Sequence, residues 1–555
     1  MANLLSTNIT GIVSEKTGTT PSPSTTDRSN DLLNGSPTGS TYNTVQTSTE
    51  TENKPQQMQF DPHNANKFVV VFPAYTSNDL YARMGTIVDK TVTWAAQGNV
   101  TIATGGEGFW GPQIAFDPSV PNKFIVWYQE TSGSKSAIKV GTISNLTMSF
   151  GARSESDRLY GGSVQFDPNT PGRFCINGIA YNDYKERIRC GDVATNGTGT
   201  TISGYGADFT FTANQTTNSG IPTYSRFAYD PNTAGRLVAI WSDRSNLEGN
   251  NPYVGYARTL DVATNKTITA TSSTTKWELD DYGEKHHSIA WDPHNATKFI
   301  ISWTRSNDGV GYARVGTITN ATGALSFGAK SQFATNTEDT FLAFDSGIPG
   351  KFAIAWNGGT GGSRTGRVIL GTYSGGTTIS SWGTVCDFNT TQTNAVKSCC
   401  IDFDPKRPSK FLIQSVEGVL PGGGTPRQGR VRAGNINENT LSLNVSTGER
   451  FILDMSNVAG TIGTFTITGA ASGSDKMTSF ILKIIQSAGP KQFDWGGKIT
   501  NVKWPVGTKS VYDEGDFSGT IPYMSKTDNS VNILKFITYD EGTTWYGIKE
   551  GVDIK

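Results

Sequence analysis

Short apolar runs, bounded by Gly, Asn, Pro and Asp, recur along most of the chain. KFVVVF (67–72), KFIVWY (123–128), KFIISW (298–303) and KFAIAW (351–356) are examples. Their β-branched and aromatic residues suit a pleated surface, and successive side chains in such a run point to two opposite faces, so each predicts a strand. Windows of helical period are missing. One step precedes these runs again and again: Phe60-Asp61-Pro62, Phe116-Asp117-Pro118, Phe166-Asp167-Pro168, Tyr229-Asp230-Pro231, Trp291-Asp292-Pro293 and Phe403-Asp404-Pro405. Phe344-Asp345-Ser346 is a seventh copy without the proline. Proline ends the preceding strand because it has no N–H for a ladder, and the Asn, Gly and Pro that follow supply turn chemistry. A third element ends in basic–X–Gly: Arg83-Met84-Gly85, Lys139-Val140-Gly141, Arg189-Cys190-Gly191, Arg314-Val315-Gly316 and Arg432-Ala433-Gly434. In four repeats the same 24 residues separate the Asp from the Gly.

Successive Asp positions lie 50–63 residues apart, enough for four short strands and their loops. That is a propeller blade, somewhat longer than the roughly 40–45 residues of a WD40 blade. Seven such blades closed in a ring account for residues 56–438. A ring needs one chain end to complete its last blade, or an unpaired edge stays exposed. The segment TYNTVQTS (41–48) is expected to supply that strand, with LSLNV (441–445) as the competing candidate.

The chain ends read differently. Residues 1–55 are largely Ser, Thr, Gly, Pro and Asn; they cannot bury a core alone and are expected as an extended arm. Leu4, Leu5 and Ile9 within it suit docking on a partner. From residue 439 to 555 the repeat stops, and FILDM (451–455), GTFTITG (463–469), SFILKIIQ (479–486) and ILKFITYD (533–540) predict a β-sandwich, jelly-roll-like, of roughly eight strands. The fold class is therefore all-β: a seven-bladed propeller, a C-terminal sandwich and an N-terminal arm.

Composition agrees with this and narrows the function. Gly numbers 63 of 555 residues, aromatics reach 10% and charged residues only 17%. The formal net charge of −1 gives no reason to expect nucleic acid or an anionic membrane as partner. No run approaches the ~18 apolar residues of a transmembrane helix, and the N-terminus does not read as a secretory signal. Five cysteines are too few for a disulfide framework. Cys399 and Cys400 are adjacent and are expected as free thiols. Cys175 and Cys190 can face each other across two strands of one repeat, but a reducing cytoplasm leads us to expect no bond between them either.

The propeller repeat resembles repeats in tail-fibre-like and other structural proteins of marine cyanobacterial phages. LNVSTGERF (443–451), the SFILKIIQ strand, ITNVKWPVGT (499–508) and the ending FITYDEGTTWYGI (536–548) are similar to the terminal module of such fibres, and MANLLSTNITG resembles their usual opening. The resemblance implies a virion component.

Candidate chemistry is sparse. Thr538 to Trp545 (TYDEGTTW) matches the Asp-box of sialidases, a hairpin stabiliser remote from catalysis in those proteins, and no blade carries it. A sialidase would need an arginine cluster, a tyrosine nucleophile and an acid/base pair. Arg83, Arg189, Arg258, Arg314 and Arg432 occupy similar repeat positions, which points to a role within each blade: pairing with a motif Asp, or facing solvent. The seven motif Asp residues are expected to accept N–H bonds in the turns that follow them, and are too dispersed to hold one metal ion. His63 and His294 match in repeat position and read as scaffold; His286 and His287 carry no metal-ligand spacing. Gly358–Gly362 and Gly422–Gly424 read as blade loops. Trp110, Tyr181, Tyr184 and Tyr282 are candidates for stacking on sugars, against an ordinary packing role.

The sequence thus assigns no catalytic, cofactor or metal residue and no enzyme activity. It predicts a phage virion protein, assembled in the host cytoplasm, most simply a tail-fibre or attachment component contacting the host surface. Residues 1–55 and 439–555 would join it to other virion proteins, propeller loops would meet a host surface glycan or protein, and a homo-oligomer, a trimer above all, is expected. The alternatives are a capsid-decorating or tail-wall protein using the propeller as a rigid module, and, less well supported, a sialidase-like enzyme.

Overall fold

The computed structural model describes residues 38–45 and most of 57–435, apart from the connections 74–78, 105–108, 131–134, 181–184, 212–224, 244–253, 279–283, 359–363, 389–394 and 419–426 and a few single or paired positions. Outside that span it describes residues 2–6, 9–14, 439–444, 450–454, 462–468, 477–485, 502–503, 531–539 and 545–554. The chain divides into two compact units, Leu33–Asn435, and Met1–Leu32 with Ile436–Lys555.

The first unit is a seven-bladed β-propeller. Blades 1 to 6 span residues 58–103, 109–157, 159–210, 226–278, 284–334 and 340–387, and blade 7 begins at 395. Each blade is an antiparallel sheet, and in blades 1 to 6 the strands run outward in chain order. The first strands of successive blades neighbour one another around the whole ring, blade 7 against blade 1 included. Second strands such as Lys123–Glu130 are buried almost end to end, on both faces, because each blade is covered by a neighbour on either side. That is why their sequence reads as a near-continuous apolar run.

The core is accordingly divided among the blade interfaces. One cluster joins Val69, Val71 and Leu80 of blade 1 to Ile114, Phe124 and Val126 of blade 2. Another joins Phe60, Phe68 and Phe72 of blade 1 to Leu412, Val416 and Val431 of blade 7, across the closure of the ring.

Blade 7 is completed by the strand Thr38–Val45, antiparallel to Arg427–Asn435 with Thr38 opposite Ala433 and Val45 opposite Arg427. This is the closing strand expected from the sequence, displaced by three residues. In blades 1 to 6 the third strand carries two short partners on its outer edge, as Lys135–Ser144 carries Thr147–Phe150 and Ser154–Asp157. In blade 7 one strand covers that edge, with its register shift between Thr41 and Asn43. Leu441, in the competing candidate, instead pairs in parallel with Phe465.

The cysteines require a correction. Cys175 and Cys190 stand directly opposite each other in the second and third strands of blade 3, both fully buried, with Cα atoms 4.1 Å apart, and they are joined by a disulfide. The register that places two cysteines face to face in a closed interior outweighed the inference from compartment. Cys386, Cys399 and Cys400 are in no disulfide; burial pushes the Cys400 thiol up to about 12.

In the second unit a seven-stranded mixed sheet has the order Ala2–Ser6, Ile9–Ser14, Arg450–Asp454, Thr478–Ile485, Val531–Thr538, Trp545–Ile554, Val502–Lys503. A separate parallel pair is formed by Asn439–Asn444 and Ile462–Thr468. Phe480 and Phe536 stack across the sheet with ring centroids 4.8 Å apart, beside buried Leu482, Ile484 and Leu534. Among the described residues, no helix is long and apolar enough to cross a membrane.

Candidate functional site

The aromatic–Asp–Pro turns lie at one end of the first strands, and all seven Asp residues are buried. In every blade, one carboxylate oxygen accepts the backbone N–H two residues on, at 2.8–2.9 Å: His63, Ser119, Asn169, Asn232, His294, Gly347 and Lys406 are the donors. This is the Asx-turn role expected of them.

In five blades the second oxygen does something the sequence did not announce: it reaches the next blade, while that of Asp61 accepts from Asn64 Nδ2 in its own turn. Asp117 accepts from Gly172 N–H, Asp167 from Gly235 N–H, Asp345 from Ser409 N–H, and Asp404 closes the ring by accepting from Asn66 N–H, all at 2.8–2.9 Å. Asp292 accepts instead from the hydroxyl of Tyr373 in blade 6. Each backbone donor lies five residues after its own motif Asp and has positive φ: Asn66 71°, Gly172 77°, Gly235 74°, Ser409 70°. Blade 5 carries Thr297 at that position. A β-branched residue resists the left-handed region. Thr297 N–H turns to Asn295 instead, and among the described residues Asp230 Oδ2 has no partner.

These turns rim the central channel. A cavity of about 370 Å³ lies on the axis, lined by first strands of all seven blades, with Pro62, Pro118, Pro293 and Pro405 at its mouth. The residue before each motif aromatic faces the axis. It is alanine in four blades (Ala115, Ala228, Ala290, Ala343) and polar in three: Gln59, Gln165 and Asp402. Two residues deeper stand Gln113, Ser163, Arg226, Ser288 and Phe341.

Asp402 is the one carboxylate among the lining residues. Its Oδ2 accepts Phe60 N–H at 2.9 Å. Burial raises its carboxyl to about 7, with the charge of Asp404 adding to the effect and backbone N–H groups opposing it. Gln59 Oε1 accepts Phe116 N–H at 2.7 Å. The Arg226 guanidinium donates to the carbonyls of Gly162 and Ser225.

The arginines do not converge. They stand on third strands, outside the first two strands of their blades. Arg83 lies over Trp94, Arg258 over Phe209, Arg314 over Phe327 and Arg432 over Phe388, while Arg189 lies over Tyr205 and pairs with Asp208 at 2.5 Å. The motif aspartates, occupied by N–H donors, are not their partners in these contacts. His63 Nε2 meets the carbonyl of Asp117, and His287 is buried against Trp277 and Ser242, so both act in packing. His286 and Trp110 fall in first strands, their side chains outside the described residues. Tyr181, Tyr184, Tyr282 and the glycine-rich stretches 359–362 and 422–424 also lie outside them, as do residues 540–544 of the TYDEGTTW segment. Among the described residues no group of His, Cys, Asp or Glu could hold a metal ion.

The channel wall was missed in the sequence. A signal was there: aligning the repeats on the aromatic shows alanine four times against Gln, Gln and Asp. It escapes notice because only closure of the ring brings those three positions together.

Neither a protein-family model nor a curated protein matches the sequence. Similar solved structures include an α-L-arabinanase of Penicillium chrysogenum complexed with arabinobiose (12% identity, TM-score 0.39, covering 71% of this chain and 98% of that one). A protein from Lactobacillus plantarum is similar at 11% identity and TM-score 0.39, covering 67% of this chain and 99% of that one. Sqt1 of Chaetomium thermophilum, bound to the N-terminus of ribosomal protein L10, is similar at 11% identity and TM-score 0.37, covering 68% and 89%. None of them carries an argument about ligand or activity. The class defined by the chain's own geometry is the seven-bladed β-propeller.

Proposed function

We propose that this chain is a structural protein of a phage virion, a tail-fibre or attachment component whose propeller contacts the host surface, and that it works by binding. The observation that carries the binding role is the use of its carboxylates. All seven repeated Asp side chains are bound to backbone N–H groups of their turns, and among the described residues the cavity on the axis is lined by one carboxylate. Hydrolysis of a glycosidic bond ordinarily calls for two, about 5–9 Å apart. The bonds by which five of these aspartates also reach the next blade tie the ring together, which suits a protein that must present a surface without deforming. The virion assignment is supported by the likeness of the N-terminal opening and of residues 443–548 to fibre modules. Residues 1–55 and 439–555 then join the chain to other virion proteins, in a homo-oligomer, a trimer above all.

The test is adsorption. The purified full-length chain, added in excess to host cells, should compete with phage particles and lower the adsorption rate. Undiminished adsorption, with the chain bound to no host cell, overturns the attachment role.

A further inference from the structure

We infer that the mouth of the central channel is a binding site for a single neutral sugar ring, held edge-on by Asp402, Gln59 and Gln165. The inference rests on the glycan-contacting role proposed above and gives it a location.

The three polar residues occupy one register position, two residues before the motif Asp of blades 7, 1 and 3. Equivalent positions on equivalent strands lie at one level of the channel, so the residues that carry the carboxylate and the two amides share that level. Ala228, Ala290 and Ala343 of blades 4, 5 and 6 lie at that level on the opposite side, with Phe344 beside them, and Ala115 of blade 2 stands between Gln59 and Gln165. One side of the wall therefore offers hydrogen-bond acceptors and donors, and the other offers small apolar groups, of which Ala290 is partly exposed. A pyranose has the matching shape: hydroxyl groups around its edge and C–H bonds on its faces. Sites for small molecules are typically built this way, mostly apolar with a few placed polar groups.

The polar arc has unused capacity. Gln165 has no hydrogen-bonding partner among the described residues, and Gln59 uses only its oxygen. Gln59, Gln165, Asp402 and Ala290 are all partly exposed, while Gln113, Arg226 and Ser288 below them are buried, so solvent reaches the arc from the proline-rimmed side. The cavity of about 370 Å³ stands at the small end of ligand pockets, roughly 300–1,000 Å³. With one carboxylate and one carbonyl-bound arginine in the lining, the site favours a neutral ligand. Five of the seven turns at its mouth are latched to the next blade, so little ordering is needed on binding.

The experiment is saturation-transfer NMR on the full-length chain with D-glucose, D-galactose, D-mannose and N-acetyl-D-glucosamine as probes. At least one should receive saturation. Gln165→Ala, which disturbs no hydrogen bond of the described protein, and Ala290→Leu, which fills the apolar side, should each remove it. Asp402→Ala should weaken binding at least about tenfold. No transfer to any probe, or transfer that survives both Gln165→Ala and Ala290→Leu in folded protein, overturns the inference. Failure here is separable from failure of the virion role: a chain found in particles that binds no sugar defeats only the channel site, and a sugar-binding chain absent from particles defeats only the virion role.

Discussion

Phe124 and Gly141 face each other across the second and third strands of blade 2, and a Cβ on residue 141 would lie 2.2 Å from Cζ of Phe124. The same pairing recurs as Phe68–Gly85, Phe174–Gly191, Phe299–Gly316, Phe352–Gly371 and Phe411–Gly434. Blade 4 has Leu237 opposite Leu260. Where the aromatic ring shrinks, the glycine grows. The glycine of the basic–X–Gly motif is thus a space left for a ring.

Gly141→Leu should destabilise the protein by at least about 2–3 kcal/mol through overpacking. Adding Phe124→Leu should recover part of that loss by reproducing the Leu–Leu pair of blade 4. A coupling of about 1 kcal/mol or more in a double-mutant cycle, read from chemical denaturation, is expected. Additive effects would contradict the pairing.

The aspartate latch makes two opposite predictions. Asp117→Ala deprives Ser119 and Gly172 of an acceptor and should cost about 2–4 kcal/mol. Thr297→Asn places at the defective turn the residue that adopts positive φ at 66 and 122, freeing its N–H for Asp230. It should stabilise by about 1 kcal/mol. Thermal unfolding of both variants checks the pair, and a destabilised Thr297→Asn would sink the explanation of the orphaned oxygen.

Burial raises the carboxyls of Asp402, to about 7, and Asp345, to about 6. Unfolded, each titrates near about 4. The native state therefore holds more protons between those values, and these two groups make stability fall as pH rises from about 4 to about 7, then level off. Asp402→Asn keeps an oxygen for Phe60 N–H and should flatten that slope. Unfolding midpoints measured across the window decide it; an identical slope in the variant contradicts the assignment.

Thiol titration of the denatured, unreduced protein should count three thiols, Cys386, Cys399 and Cys400, and five after reduction. Five before reduction would return Cys175 and Cys190 to the state expected from composition alone.

Much of the propeller was legible in the residues, because a blade is a local object. Strand, turn and strand follow one another within one repeat, and the Asp-to-Gly spacing preserves the register. The need for a closing strand was legible, since a ring without it has an open edge, but the sequence left TYNTVQTS and LSLNV both available for it. The facing of Cys175 and Cys190 was legible, and only their bond was not. What escaped was most of what else joins residues of different strands or blades: the Phe124–Gly141 fit, the Asp117 bond to Gly172 and the level shared by Asp402, Gln59 and Gln165. Each has one partner visible as a motif and another that only closure of the sheet or ring makes a neighbour.

The most direct test of the central claim is electron microscopy of intact phage particles with an antibody against this chain as the label. The account predicts label at the distal part of a tail appendage, with a seven-bladed disc resolved there. Particles that carry no label would contradict it outright, and label confined to the capsid lattice or tail wall would replace attachment with an architectural role.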